Sequence, residues 1–172
     1  MMESVIRLEN FYFAYNKSEL VLQDIDLEIK KGSFTVVAGP SGAGKTTLCK
    51  AMTGIVPFYM GGRYSGDVQV LGESTKGRRV SDIAMRVGLM LEDYESQLVS
   101  LTAATLAVHP EIIVLDEPVS AMDPDGAHSL YELLYAIHQR YGTTIIVVEH
   151  RVDYLLPLSL IHISEPTRPY WI

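Results

Sequence analysis

The chain has 172 residues, of which 48% are hydrophobic and 20% are charged. These values predict one compact domain with an ordinary hydrophobic core and exclude a disordered or low-complexity protein. The formal net charge of −7 gives no electrostatic footprint for nucleic acid, and the basic run Lys76–Arg79 is too short to change that expectation.

Cysteine content and hydropathy exclude further classes of protein. Cys49 is the one cysteine in the sequence, so a disulfide framework is excluded and a reducing compartment is expected. We expect Cys49 to pack on the first helix. No apolar stretch approaches the ~20 residues of a membrane helix, and residues 1–4 do not resemble a signal peptide. Any role at a membrane is therefore expected to come through a partner.

The predicted strands fall into two kinds. Apolar and polar residues alternate in Val5–Tyr15 and Val21–Ile29, as in antiparallel strands with one solvated face. Phe34–Ala38 and Ile112–Leu115 are continuous apolar runs, which predict buried parallel strands. Short strands are also predicted at Gly66–Val70, Val87–Leu91 and Thr143–Val148.

One helix is strongly indicated, at Pro124–Tyr141. Its apolar residues recur with helical spacing at Leu130, Leu133, Leu134, Ile137 and Tyr141. Asp123 suits the N-cap, proline suits the first turn, and Gly142 suits the C-terminal cap. A shorter helix is expected at about Leu101–Val108. Strands that alternate with helices predict an α/β sandwich with a mainly parallel core sheet and antiparallel strands at the N-terminal side.

A glycine-rich loop joins the strand at Phe34–Ala38 to an expected helix. It matches the pattern G-x-x-x-x-G-K-[ST] at every fixed position. Its residues, with the threonine that follows, are the candidate nucleotide-binding set: Gly39, Pro40, Ser41, Gly42, Ala43, Gly44, Lys45, Thr46 and Thr47. Backbone N–H groups and Lys45 are expected to hold the phosphates of ATP, and Thr46 is a candidate Mg²⁺ ligand. The alternative is a glycine turn that matches by chance.

Two carboxylates follow the apolar strand at Ile112–Leu115. Asp116 and Glu117 would lie at its carboxyl end, where ligands bind in open α/β sheets. Asp116 is a candidate ligand of Mg²⁺, and Glu117 is a candidate to orient and polarise the water that attacks the γ-phosphate. The alternative is a strand that ends in a solvated acidic turn.

The segment Leu115–Pro124 resembles the Walker B and D-loop run of ATP-binding cassette (ABC) ATPases. The resemblance implies a P-loop sandwich of the ABC ATPase type, ATP hydrolysis, and a second ABC ATPase domain as partner in a homodimer, heterodimer or tandem chain. It also implies that His150, after the next strand, is the switch residue at the γ-phosphate. A histidine at a strand end is otherwise a surface or capping residue.

The resemblance further assigns the adenine contact to an aromatic residue near the N-terminus. Phe11, Phe13 and Tyr15 share one face of a strand by period two, and Tyr15 is the candidate that stacks on the base. Packing of all three rings in the core is the alternative.

Two segments resemble a narrower group, the ATPase subunits of energy-coupling factor importers. They are Met60–Val68 and Glu149–Arg151. This finer resemblance implies an integral membrane transporter subunit as partner and a peripheral location at the cytoplasmic face of the membrane.

The sequence departs from the family in two internal places. Glu92 stands where the family has a glutamine that touches Mg²⁺ and the attacking water, so Glu92 is a candidate metal and catalytic residue with an added negative charge. Only 24 positions separate Glu92 from Asp116, and the L-S-G-G-Q signature of the family is absent from the chain. We therefore expect that the helical subdomain is deleted near Ser100 and that turnover is impaired.

The C-terminal residues 158–172 resemble a translated sequencing adapter, with a native apolar tail as the alternative. The expected domain organisation is accordingly one ABC-type nucleotide-binding domain at 1–157, C-terminally truncated, followed by a non-native tail. Two rival functions remain open, namely a nucleotide-binding fragment without turnover and a soluble ABC ATPase that serves no transporter.

Overall fold

The computed structural model describes residues 3–17, 19–91, 109–120, 122–150 and 162–164, the last three by backbone alone. Within these residues the strands are β1 Ser4–Ala14, β2 Leu22–Lys30, β3 Phe34–Ala38, β4 Arg63–Val70, β5 Glu73–Ser74, β6 Val87–Met90, β7 Ile112–Asp116, β8 Thr144–Glu149 and β9 His162–Ser164. The helices of the same residues are α1 Lys45–Met52, α2 Val80–Ala84 and α3 Pro124–Tyr141. The strands form two sheets, which lie on either side of α1.

The first sheet is antiparallel, as the alternating pattern predicts. Its strand order is β2-β1-β4-β5. Leu8 on β1 pairs with Leu27 on β2 and with Val68 on β4. β1 therefore lies between β2 and β4, and its apolar side chains such as Leu8 are buried in the core. The alternation of buried and solvated residues along β2 follows from this single covered face.

The second sheet is parallel and has the strand order β6-β7-β8-β3-β9. Its inner strands are covered on both faces, which explains why they read as continuous apolar runs. Asp116 at the end of β7 pairs with Val148 on β8, and Ala38 at the end of β3 pairs with Glu149 on β8. This register brings the carboxyl ends of β3, β7 and β8 together at one edge.

Two hydrophobic clusters fill the space on the two faces of the parallel sheet. Alternate residues of β7 and β8, such as Val114 and Ile146, pack toward α1 and the antiparallel sheet. The intervening residues, such as Leu115 and Val147, pack toward α3. Cys49 on α1 lies in the first cluster, as expected, and burial raises the pKa of its thiol well above the usual value, with the Asp116 charge adding to the shift.

Helix α3 has the predicted bounds and the predicted caps. Asp123 accepts a hydrogen bond from the Gly126 N–H, and Gly142 ends the helix in the left-handed conformation. Tyr141 differs from the prediction, because its ring is exposed and contacts His109 rather than the core.

Three short elements were not predicted from the sequence. α2 has five residues and β5 has two, which is too short for a periodic pattern to appear. β9 lies in the segment that resembles a translated adapter, yet its backbone pairs in parallel with β3. A sheet edge offers unpaired N–H and C=O groups to any extended segment, whatever its origin.

The basic run at Lys76–Arg79 is paired locally. Lys76 lies near Asp67, Arg78 near Glu73 and Arg79 near Asp82. Over the part of the chain that the structure describes, no helix combines the length and the apolar character needed to cross a bilayer.

Candidate functional site

The candidate residues meet at the carboxyl edge of the parallel sheet. The glycine-rich loop follows β3, Asp116 and Glu117 end β7, and His150 follows β8. Since β8 lies between β3 and β7, the histidine is placed between the loop and the carboxylates. The sequence predicted these three groups separately, and the sheet order brings them together.

Two of the loop's glycines, Gly42 and Gly44, have a positive φ that other residues adopt only with strain. Gly44 has a φ of +84°, and a Cβ built there would lie 2.8 Å from the Val21 carbonyl oxygen. The Leu48 N–H donates to the Gly44 carbonyl at 2.9 Å, so α1 begins directly at the end of the loop. The backbone N–H groups of the first turn of α1 are therefore available to an anion.

Lys45 is buried although it carries a charge, with 4% of its side chain exposed. Its Nζ donates to the Pro40 carbonyl at 3.0 Å and forms an ion pair with Glu117 Oε1 at 3.2 Å. The ammonium group therefore bridges the glycine-rich loop and the end of β7. Sequence reasoning missed this contact, because the two residues lie far apart along the chain and no local signal reports their distance.

Glu117 has a left-handed backbone with a φ of +49°, which is uncommon for a residue other than glycine. This turn directs the carboxylate toward two groups. Oε1 pairs with Lys45, and Oε2 lies 3.6 Å from Nδ1 of His150, beyond a direct hydrogen bond. The side chain of His150 is 43% exposed, so a ligand at this edge has access to it.

The residues predicted to hold a metal have suitable chemistry. Asp116 is 1% exposed at the end of β7, and Thr46 is exposed in the first turn of α1. Both supply oxygen ligands, which Mg²⁺ prefers. Over the described ranges, no three His, Cys, Asp or Glu side chains cluster as a metal cage. A donor set this small fits Mg²⁺ that keeps waters and phosphate oxygens as its other ligands.

The structure separates the three N-terminal aromatic residues. Phe11 and Phe13 are fully buried, whereas Tyr15 is 40% exposed. The Tyr15 ring packs edge-on against Phe13 at 4.9 Å, and its hydroxyl lies 3.2 Å from Oγ1 of Thr47 on α1. Phe11 and Phe13 therefore belong to the core, and Tyr15 lies beside the start of α1 with its ring partly exposed.

A further carboxylate lies beneath the site and was not among the predicted site residues. Glu149 is 1% exposed, and its Oε1 accepts a hydrogen bond from the Tyr131 hydroxyl at 3.0 Å. Burial raises the pKa of this carboxyl above its usual value, while the Tyr131 hydroxyl and the Val119 N–H lower it. The available signal in the sequence was an acidic residue that directly follows the apolar run of β8.

Some predicted features lie outside the described residues. They are the candidate Glu92, the helix expected at about Leu101–Val108, the deletion expected near Ser100, and most of the C-terminal tail.

Comparison with protein families gives a match to the family described as ABC transporter, over residues 22–103. An ABC transporter ATP-binding protein of Pyrococcus horikoshii is 30% identical, and the alignment covers 89% of this chain and 73% of that protein. Its counterpart from Pyrococcus abyssi is 29% identical, with 89% and 74% covered. A relative from Methanosarcina acetivorans is 32% identical over 86% of this chain, which spans only 33% of that protein's length.

The alignment with the Pyrococcus abyssi protein has more positions than the number of residues that this chain contributes to it. It has 207 positions, whereas 89% of 172 residues is about 153. About 54 alignment positions therefore have no residue in this chain.

Solved structures show the same fold. The cbiO1 protein of Clostridium perfringens, part of the ABC transporter complex cbiONQ, superposes with a TM-score of 0.76 at 18% identity and covers 95% of this chain and 86% of its own. An ATP-binding cassette of an ABC transporter in its ADP conformation gives a TM-score of 0.75 at 18% identity, with 95% and 88% covered. The similarity to the Pyrococcus relatives, together with this fold, shows that the chain belongs to the family of ABC transporter ATP-binding proteins.

Proposed function

We propose that this chain binds Mg-ATP at the carboxyl edge of its parallel sheet, as the ATP-binding domain of an ABC importer of the energy-coupling factor type. The observation that carries the proposal is the buried Lys45 ammonium, which faces the glycine-rich loop on one side and Glu117 on the other. A buried ammonium group at this position suits a triphosphate, because phosphate oxygens can replace both the Pro40 carbonyl and the Glu117 carboxylate as its partners.

The residues predicted to meet the phosphates, the metal and the attacking water have the following proposed roles. The backbone N–H groups of the loop Gly39–Thr46, apart from Pro40, and the Lys45 ammonium hold the β- and γ-phosphates. Thr46 and Asp116 would hold Mg²⁺, which when bound neutralises developing negative charge on the phosphates. Glu117 would orient the attacking water and accept its proton, and His150 would contact the γ-phosphate.

We propose that turnover by this chain alone is near background, because the signature helix is deleted near Ser100. The family resemblance places that helix against the γ-phosphate of the opposite subunit, and loss of one preorganised donor costs about 10²- to 10³-fold in rate. The alignment positions without a residue in this chain support a deletion of this kind.

The parallel sheet does not need the deleted segment in order to form. β6 and β7 are neighbours, with Val87 paired to Ile112. A crossover between adjacent parallel strands needs about a dozen residues, and residues 91–111 provide more than that. The nucleotide site can therefore fold without the subdomain that would complete turnover.

The assignment to energy-coupling factor importers also implies partners for this chain. We propose a second ABC ATPase domain and an integral membrane transporter subunit, with the chain at the cytoplasmic face of the membrane. Support comes from the resemblance of Met60–Val68 and Glu149–Arg151 to energy-coupling factor ATPases. The cbiO1 structure, which is part of a transporter complex, supports the fold alone.

The test is calorimetry with Mg-ATP, together with release of phosphate measured on the same sample. We expect binding that Lys45→Met abolishes, and phosphate release that a complete ABC ATPase domain of the family restores when it is mixed with this chain. Absence of binding by a chain that circular dichroism shows to be folded contradicts the proposal. Phosphate release by the isolated chain at rates typical of enzymes contradicts the role given to the deletion.

The adenine contact is tested separately. Tyr15→Ala should weaken Mg-ATP binding by about 1 kcal/mol or more, since stacking of a base on an aromatic ring contributes about 1–3 kcal/mol. Tyr64→Ala is the matched control, because Tyr64 is exposed to the same degree and lies on β4. Binding of inorganic triphosphate, which has no base, should not change in either variant.

A further inference from the structure

Glu149 occupies an unusual position for a charged side chain. It ends β8, is almost fully buried, and accepts a hydrogen bond from Tyr131 on α3. The backbone N–H of Val119 also interacts with this carboxylate. Three separate segments, namely β8, α3 and the loop after β7, are therefore joined at one carboxyl group.

The loop joined in this way begins with Glu117. The Glu117 N–H donates to the Val148 carbonyl at 2.8 Å, and the Ser120 N–H donates to the Glu117 carbonyl at 3.2 Å. Val119 packs in the same hydrophobic cluster as Tyr131. The loop thus turns back onto α3, and the left-handed backbone of Glu117 is part of that turn.

The two ends of this connection lie next to the reacting groups. Val119 is two residues after Glu117, and Glu149 directly precedes His150. We propose that Glu149 is a positioning residue, whose hydrogen bond from Tyr131, together with the packing of Val119 in the same cluster as Tyr131, sets the relative placement of Glu117 and His150 at the γ-phosphate. The inference rests on the proposed function, because it assumes that these two residues face a nucleotide.

A stabilising role does not explain the carboxyl group. Burial of a carboxyl group opposes its ionisation, and the neighbouring charge of Glu117 opposes it further. Replacement of a buried ion pair as a whole by apolar residues of similar volume is often neutral or stabilising. What the carboxyl group adds is an acceptor with fixed geometry for two donors from different segments.

The experiment compares the affinities for Mg-ATP and Mg-ADP by calorimetry in Glu149→Ala, Glu149→Gln and Tyr131→Phe. We expect Glu149→Ala to reduce the preference for ATP over ADP by about three- to tenfold, as loss of a buried hydrogen-bond partner permits. Tyr131→Phe should have a smaller effect in the same direction. Glu149→Gln keeps a side-chain oxygen as acceptor and should stay within about twofold of the original preference.

Tyr135→Phe is the matched control, since Tyr135 lies one turn further along α3 and has no hydrogen bond to Glu149. A purely structural role would lower the melting temperature and weaken both nucleotides equally, and that outcome overturns the inference. An unchanged ATP preference in all three variants overturns it as well. If Glu149→Ala does not fold, Tyr131→Phe decides between these outcomes.

A second measurement does not depend on nucleotide. The imidazole ¹⁵N resonances of His150, assigned by loss in His150→Gln, should shift in Tyr131→Phe and not in Tyr135→Phe. If the chain binds neither nucleotide but these resonances shift, the proposed function fails and the positioning role stands. If ATP binds and neither the resonances nor the ATP preference responds, the positioning role fails and the proposed function stands.

Discussion

The ion pair between Lys45 and Glu117 leads to a quantitative prediction for Glu117→Gln. In the nucleotide-free chain this substitution removes the charge that faces the buried Lys45 ammonium at 3.2 Å. In the nucleotide complex proposed above, the phosphates would take the place of Glu117 as the partner of Lys45. The substitution should therefore destabilise the free chain more than the complex, and so increase the affinity for Mg-ATP.

The magnitude follows from the burial of the two side chains. Loss of one partner from a fully buried pair costs about 3–5 kcal/mol, whereas exposed pairs contribute about 0–1 kcal/mol. Glu117 is 20% exposed, and Lys45 keeps its hydrogen bond to the Pro40 carbonyl, so we expect about 1–2 kcal/mol. This corresponds to binding that is tighter by about 5- to 30-fold, and to a melting temperature lower by about 2–8 °C without nucleotide.

The assay is calorimetry with Mg-ATP together with thermal unfolding of the nucleotide-free chain. Glu132→Gln is the control, since it makes the same change of charge at an exposed position on α3. A folded Glu117→Gln variant that binds Mg-ATP no more tightly than the original chain would refute the reasoning. So would equal effects of Glu117→Gln and Glu132→Gln.

Three further predictions follow from single residues. Gly44→Ala should lose about 2 kcal/mol or more of stability in denaturant unfolding, because its φ is positive and the added carbon would contact Val21. Gly42→Ala has the same kind of backbone but nothing within 4 Å of the added carbon, so it should lose about 1–2 kcal/mol. Equal losses in the two variants would contradict the role of the Val21 contact. Because burial raises the pKa of Glu149 in the folded chain above 4.5, the stability of the chain should fall as pH rises from 4.5 through that folded pKa. Glu149→Gln should therefore raise the melting temperature at pH 7 and have less effect at pH 4. An effect of Glu149→Gln that does not depend on pH would contradict the raised pKa. Glu92→Gln should tighten Mg-ATP binding in calorimetry if the carboxylate repels the phosphates, and unchanged affinity would discard that argument.

The sequence alone determined the longer strands, helix α3 and the kind of sheet to which each strand belongs. Continuous apolar runs identified β3 and β7 as buried parallel strands, because such strands are covered on both faces. The bounds and both caps of α3 followed from helical periodicity and from local cap chemistry at Asp123 and Gly142. The position of the glycine-rich loop after a strand and before a helix was also readable, since every feature of that motif is local.

Only the tertiary structure decided how these groups face one another. The contact of Lys45 with Glu117, the burial of Phe13 but not Tyr15, and the hydrogen bond of Tyr131 to Glu149 all join residues that separate elements bring together. Such contacts depend on the order and register of parallel strands and on the packing of α3, which no local pattern encodes. The sequence therefore determined which chemical groups are present, and the packing of the sheet determined which of them meet.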